Sequence, residues 1–245
     1  MTLHNRVVLV TGGAKRIGQA IALGVAGRGA RVVISYRSSS RQAKQTIEAL
    51  REAGAADAVA IQANLSRAAD IKRLIDRIQK RFGRLDVLIN SAANFDRVPF
   101  EKLTEQDWDH ALDANLKGPF LCALYGSRLM RRGGGGKIIN FSDWAGVRPY
   151  RDYLPYCVSK TGIIGLTKAL AKELAPRIQV VAIAPGPILP PPDMSAAARA
   201  RIALKVPLKR WGSPQDLVNT VLFLIEGTDY MTGSVVFVDG GQLIA

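Results

Sequence analysis

Cysteine and histidine are both scarce: the 245 residues include only Cys122, Cys157, His4 and His110. Two thiols make neither a disulfide framework nor a ligand cluster of metal-binding spacing, so no metal is expected and a reducing, cytosolic setting is the default. His4 lies just before a strand pattern and His110 within a helical one, and neither is placed like a general base. Long apolar runs are absent too: none reaches the roughly 18 residues that a membrane-spanning helix needs. The first residues run straight into a strand pattern without a signal-peptide layout. Acidic side chains are the last scarcity, 20 Asp and Glu against 34 Lys and Arg, a formal net charge of +14. Such a surplus suits nucleic acid, an anionic cofactor or an acidic carrier protein. Here it is scattered through helical stretches such as 72–84 and 199–210, with no block of five like charges. That pattern favours a solvated basic surface over a nucleic-acid footprint.

Apolar side chains, by contrast, are ample for a core at 48%. Seven short β-branched runs recur, at 6–10, 31–35, 58–62, 86–90, 137–141, 179–184 and 234–238. Longer segments with helical spacing lie between them, among them 17–28, 68–82, 108–131 and 214–226. Strands alternating with helices predict an α/β fold, a doubly wound parallel seven-stranded sheet with helices on both faces. Runs that are continuously apolar rather than alternating fit a sheet covered on both sides. No linker or solenoid repeat divides the chain, so a single domain over 1–245 is expected. The proline-rich segment 185–206, after the sixth strand, sits where open α/β sheets place ligands and reads as a substrate lid, with a stiffened surface loop as the plainer alternative.

Three stretches carry chemistry. The first is 11–18, Thr-Gly-Gly-Ala-Lys-Arg-Ile-Gly, between the first strand and the first helix. Glycines there let the backbone approach a pyrophosphate, which the helix N-terminus favours. This makes Gly12, Lys15, Arg16, Ile17 and Gly18 candidates for a dinucleotide. The second is Tyr36-Arg37-Ser38 at the end of the second strand. A free ribose 2′-hydroxyl is met by Asp or Glu at this point and a 2′-phosphate by arginine, so NADP(H) is preferred over NAD(H). The third is Tyr156 and Lys160, four residues apart and therefore on one helix face. An ammonium beside a phenol suits a proton donor to a developing alkoxide or reduced nitrogen.

In this order the motifs resemble the short-chain dehydrogenase/reductase family over essentially the whole chain. Further pieces are Asn64-Leu65, Asn90-Ser91-Ala92-Ala93, Asn115 and Pro185-Gly186. The resemblance implies a Rossmann-type fold, usually a homotetramer, that passes hydride between a nicotinamide and a carbonyl or imine. It implies Tyr156 as proton donor and Lys160 as the group that binds the nicotinamide ribose and lowers the tyrosine pKa. Asn115 would hold a water chain behind the lysine, and Asn64 would contact adenine in place of the usual aspartate. Leu65, Asn90, Ala92, Pro185, Gly186 and Ile188 would complete the cofactor site.

Two departures narrow the resemblance. Where most members have a catalytic serine, this chain has Asp143, preceded by Ser142; where most have a central glycine in the first turn, it has Arg16. Both substitutions, with Phe95, are similar to the pteridine reductase branch. A flat nitrogen-rich ring stacks on an aromatic face. A carboxyl accepts from an aminopyrimidine, or passes a proton when burial raises its pKa. The substrate residues expected are thus Arg16, Phe95, Asp143, Tyr156 and Leu189, for NADPH-dependent reduction of a pterin C=N bond. Each has a plainer reading: Asp143 as a loop cap, Phe95 as core, Arg16 as a phosphate partner only. A carbonyl reductase, such as one acting on 3-oxoacyl carrier-protein thioesters, is the first alternative. A non-catalytic dinucleotide-binding regulator is the second, although its marks, a broken Tyr/Lys pair or a contiguous basic stripe, are not present.

Overall fold

The computed structural model describes residues 1–191 and 194–245. Seven strands, β1 (Val7–Val10), β2 (Arg31–Tyr36), β3 (Asp57–Gln62), β4 (Val87–Asn90), β5 (Gly136–Phe141), β6 (Ile178–Pro185) and β7 (Val235–Val238), form one sheet in the order β3-β2-β1-β4-β5-β6-β7. Every pairing is parallel, with Leu9 opposite both Val33 and Leu88. Each strand lies within a residue or so of its apolar run, because β-branched side chains fit a pleated, covered surface.

Helices α1 (Arg16–Ala26), α2 (Ser40–Glu52) and α8 (Pro214–Leu222) cover one face. There Val8, Val10, Val32 and Ile34 meet Ile21, Val25, Leu50 and Leu217. Helices α3 (Ala68–Phe82), α5 (Gly118–Arg132) and α6 (Leu154–Leu174) cover the other, where the alternate residues Val7, Leu9 and Val33 meet Ile71, Leu74, Cys122 and Leu174. Successive strand residues point to opposite faces, so a run apolar throughout needs two helical layers. The doubly wound sheet is therefore the fold that these strands require.

One helical expectation gains a detail and another shifts. The stretch 108–131 is helical throughout, but between α4 (Glu105–Leu112) and α5 the helix widens over the turn Asp113–Lys117, where the Gly118 N–H donates to the Asp113 carbonyl. Pro119 has no N–H to return to the carbonyl of residue 115, and the helix widens just before it. The helix expected over 199–210 is α7 (Ala196–Lys205), capped by the Ser195 hydroxyl on the Ala198 N–H. Pro192 and Asp193, inside the expected lid, lie outside the described residues.

Strand order reverses between β1 and β4, whose carboxyl ends open a crevice, the usual ligand position in such sheets. The turn after β1 and the loop after β4 touch there: a Cβ on Gly12, whose φ is +67°, would lie 3.0 Å from the Cα of Ala92.

Candidate active site

A cleft of about 1290 Å³ lies along the carboxyl ends of the strands. At one end it is lined by the first glycine turn, Tyr36, Arg37 and Ser38; at the other by Phe95, Asp143, Tyr150, Tyr156 and Lys160. Pro185, Gly186, Ile188 and Leu189 lie along its side. Among the described residues Asp143 is the only side-chain carboxylate in this lining.

The first turn fits an anionic ligand. Helix α1 begins after Lys15, which makes no side-chain cap hydrogen bond, so the first-turn N–H groups have no capping acceptor. A Cβ at Gly18 would lie 2.4 Å from the Gly12 carbonyl oxygen, so only glycine lets the helix start this close to the turn. Arg16 sits beside it at φ +55°, in the left-handed region that non-glycine residues seldom occupy. Its guanidinium donates to the Leu189 carbonyl at 3.3 Å, linking the turn to the segment after β6.

The reacting end is built on a carboxyl. Asp143 precedes a short turn, Trp144–Gly146, and its Oδ1 accepts from the Ala145 N–H at 2.8 Å. Oδ2 accepts from the Tyr156 hydroxyl at 2.7 Å, and the Tyr150 hydroxyl donates to Oδ1 at 3.2 Å. The aspartate is thus both a loop cap and a partner of the phenol. Ser142 does not substitute for it, because its hydroxyl donates to the Lys160 carbonyl at 2.8 Å. Phe95 is not core either: it is 49% exposed and lies edge-on to Tyr156 at 4.6 Å and stacked on Tyr153 at 4.4 Å.

Burial raises the Asp143 carboxyl above its ordinary range, against the opposing pull of its hydrogen bonds and of the Lys160 charge. Burial, and then the charge of Asp143, lifts the Tyr156 phenol well above its usual value. Burial also lowers the Lys160 ammonium to about 8, with Asp143 opposing. The net shift of the tyrosine is therefore upward, opposite to the lowering expected from Lys160, because burial and the carboxylate outweigh the ammonium. The ammonium donates to the Phe141 carbonyl at 2.8 Å and lies 5.6 Å from the tyrosine ring centre, whereas the carboxylate is in direct contact with the hydroxyl. The nearer charge is negative, and the phenol keeps its proton.

Three expected site residues do not line the cleft. Asn64 accepts from the Ser66 N–H through its side chain at 3.1 Å, a local turn, while its neighbours Ala63 and Leu65 line the cleft instead. Asn90 points into the sheet, where its amide donates to Asn140 at 2.9 Å and ties β4 to β5. Asn115, in the wide turn, exchanges hydrogen bonds with the backbone of Asn94 and donates to Ser159, the residue before Lys160, at 3.3 Å. The sequence reading missed Trp144, Tyr150 and Tyr153, which surround Asp143 and Phe95. A signal was available: three of the six tyrosines fall within Tyr150–Tyr156.

The family model described as enoyl-(acyl carrier protein) reductase, of the short-chain dehydrogenase/reductase type, matches residues 12–242. The chain belongs to the short-chain dehydrogenase/reductase family. Among its relatives, the 3-oxoacyl-[acyl-carrier-protein] reductase FabG of Staphylococcus aureus is 38% identical over 240 residues, covering 96% of each chain. A 3-oxoacyl-[acyl-carrier-protein] reductase of Synechocystis is also 38% identical, over 99% of this chain and 98% of its own. Among solved structures, a candidate short-chain alcohol dehydrogenase from Sinorhizobium meliloti superposes with a TM-score of 0.93 at 31% identity, over 99% of this chain and 98% of its own. A blue fluorescent protein from a metagenomic library, solved with NADPH, gives 0.91 at 30% identity over 99% of both chains. These relatives back the carbonyl-reductase alternative better than the pteridine reductase branch.

Proposed function

We propose that this short-chain reductase uses NADP(H) to reduce a C=N bond in a flat, nitrogen-rich ring of the pterin or dihydropterin class. The observation that carries the reading is Asp143, a carboxyl held at 2.7 Å from the Tyr156 hydroxyl at a position where most members have serine. NADP(H) suits the glycine turn and the exposed Arg37 and Ser38, with no side-chain carboxylate at that end of the cleft among the described residues. When bound, the reduced nicotinamide supplies a hydride.

The chain's own residues supply the rest. Tyr156, held protonated, gives its proton to the reduced nitrogen, and Asp143, which accepts from its hydroxyl, orients that hydroxyl or, when itself protonated, passes on a further proton. Lys160 provides a buried positive charge that steadies the phenolate once it forms. Phe95 offers an exposed aromatic face for offset stacking. The segment that follows β6 serves as the substrate lid, with Ile188 and Leu189 on the cleft wall and Arg16 tied to Leu189. A homotetramer is the assembly that this reading expects.

The curated relatives favour a second reading, reduction of the ketone of a 3-oxoacyl thioester. Steady-state assays with NADPH and dihydrobiopterin, dihydrofolate or an acetoacetyl thioester separate the two. Turnover of the pterins supports the first reading; turnover of the thioester alone overturns it in favour of the second.

A further inference from the structure

The loop 147–153 is mostly exposed, yet Tyr150 folds inward to a half-buried position on the cleft wall. Its backbone N–H donates to the Cys157 thiol sulfur at 3.3 Å, and its ring packs edge-on against Trp144 at 5.3 Å and Tyr153 at 5.9 Å. Residues from both flanking elements thus fix the ring and aim its hydroxyl at Oδ1 of Asp143. The carboxyl is held between two phenols, Tyr150 on one oxygen and Tyr156 on the other. Without Tyr150, only the Ala145 N–H would hold Oδ1, and rotation about the last side-chain bond of Asp143 would take Oδ2 away from Tyr156.

We infer that Tyr150 is a positioning residue of this site, orienting the Asp143 carboxyl so that Oδ2 stays on the reacting phenol. The inference rests on the proposed role of the Asp143–Tyr156 pair and not on which acceptor is reduced. It has a consequence for pH, because a donated O–H stabilises the charged carboxylate over the neutral acid. The groups facing Asp143 are the two phenols, the Ala145 N–H and the buried Lys160 ammonium; Arg148 and Arg151 line the cleft farther out, and Cys157 lies behind Tyr150. Of these, Tyr150→Phe removes one hydroxyl and keeps the ring.

The test is an infrared titration of the Asp143 carboxyl in the NADPH-bound protein, its band assigned by its loss in Asp143→Asn. Tyr150→Phe is expected to move that titration to higher pH. Placing 3-fluorotyrosine at position 150, a more acidic donor, is expected to move it lower. Kinetically, Tyr150→Phe should lower kcat on the order of tenfold, with NADPH affinity and melting temperature unchanged, on whichever acceptor the enzyme reduces. An unmoved titration in Tyr150→Phe, or a wild-type kcat and pH profile, overturns the inference. The titration needs no acceptor, so failure of the pterin reading leaves this test intact.

Discussion

At the scale of single residues the chemistry turns on the pairing of Asp143 with Tyr156. A carboxylate in contact with a phenol raises the cost of removing the phenol's proton, so the resting site stores that proton until the acceptor accumulates charge. Tyr156→Phe should therefore abolish reduction, with NADPH affinity within a few-fold of wild type; fluorescence titration beside a steady-state assay checks both. Asp143→Asn should lower turnover by about 10²-fold or more and still stabilise the fold above neutral pH. The sign follows from burial: the folded protein favours the protonated carboxyl, so this group's contribution is largest at low pH and falls as pH rises from the ordinary carboxylate range through the raised folded value. The asparagine variant lacks that decline, and melting curves across pH will show the gap widening in its favour. Lys160 acts in the opposite pH direction. Its lowered value of about 8 costs stability in full below that pH, and the cost fades as pH rises toward 10.5.

At the scale of elements, two turns place the ligand ends. The Tyr36-Arg37-Ser38 segment leaves β2 at the sheet's carboxyl edge with Arg37 exposed to the cleft. Arg37→Ala should weaken NADPH binding about tenfold or more and leave NADH binding nearly unchanged; equal losses would mean that the 2′-phosphate is met elsewhere. At the start of α1, Arg16 holds a left-handed backbone for the sake of its reach to Leu189. Arg16→Gly relieves that strain at the cost of unfolded-chain entropy, so melting should shift little. The link to the segment after β6 is lost, and KM for the acceptor should rise more than kcat falls. A fall in kcat with KM unchanged would instead place Arg16 in the chemical step.

At the scale of the whole molecule, the net charge of +14 has a local expression. Among the described residues the cleft lining carries Lys15, Arg16, Arg37, Arg97, Arg148, Arg151, Lys160 and Lys205 against one side-chain carboxylate. Such a field draws in anionic ligands, and salt screens it over roughly 10 Å at 0.1 M. NADPH association, followed by stopped flow, should slow several-fold between low and physiological ionic strength while dissociation changes little. A rate indifferent to salt would show that the charge acts elsewhere.

The sequence by itself determined the sheet, the helix layers and the cofactor end of the cleft, because those depend on local pattern. Apolar runs such as those of β1 and β5 have one place to go, and glycines at 12 and 18 are needed wherever the backbone folds this tightly. Asp143, Tyr156 and Lys160 were legible as residue types at a spacing, and Phe95 as an aromatic in a motif. Only the tertiary structure decided which way each pointed. It turned Ser142 onto the Lys160 carbonyl and Asp143 onto two phenols, sent Asn90 into the sheet and Asn64 onto its own turn, and widened the helix before Pro119. The physical reason is that a polar side chain is claimed by the nearest unsatisfied partner in space, and for Asp143, Tyr150 and Asn90 that partner lies 13, 7 and 50 residues away along the chain.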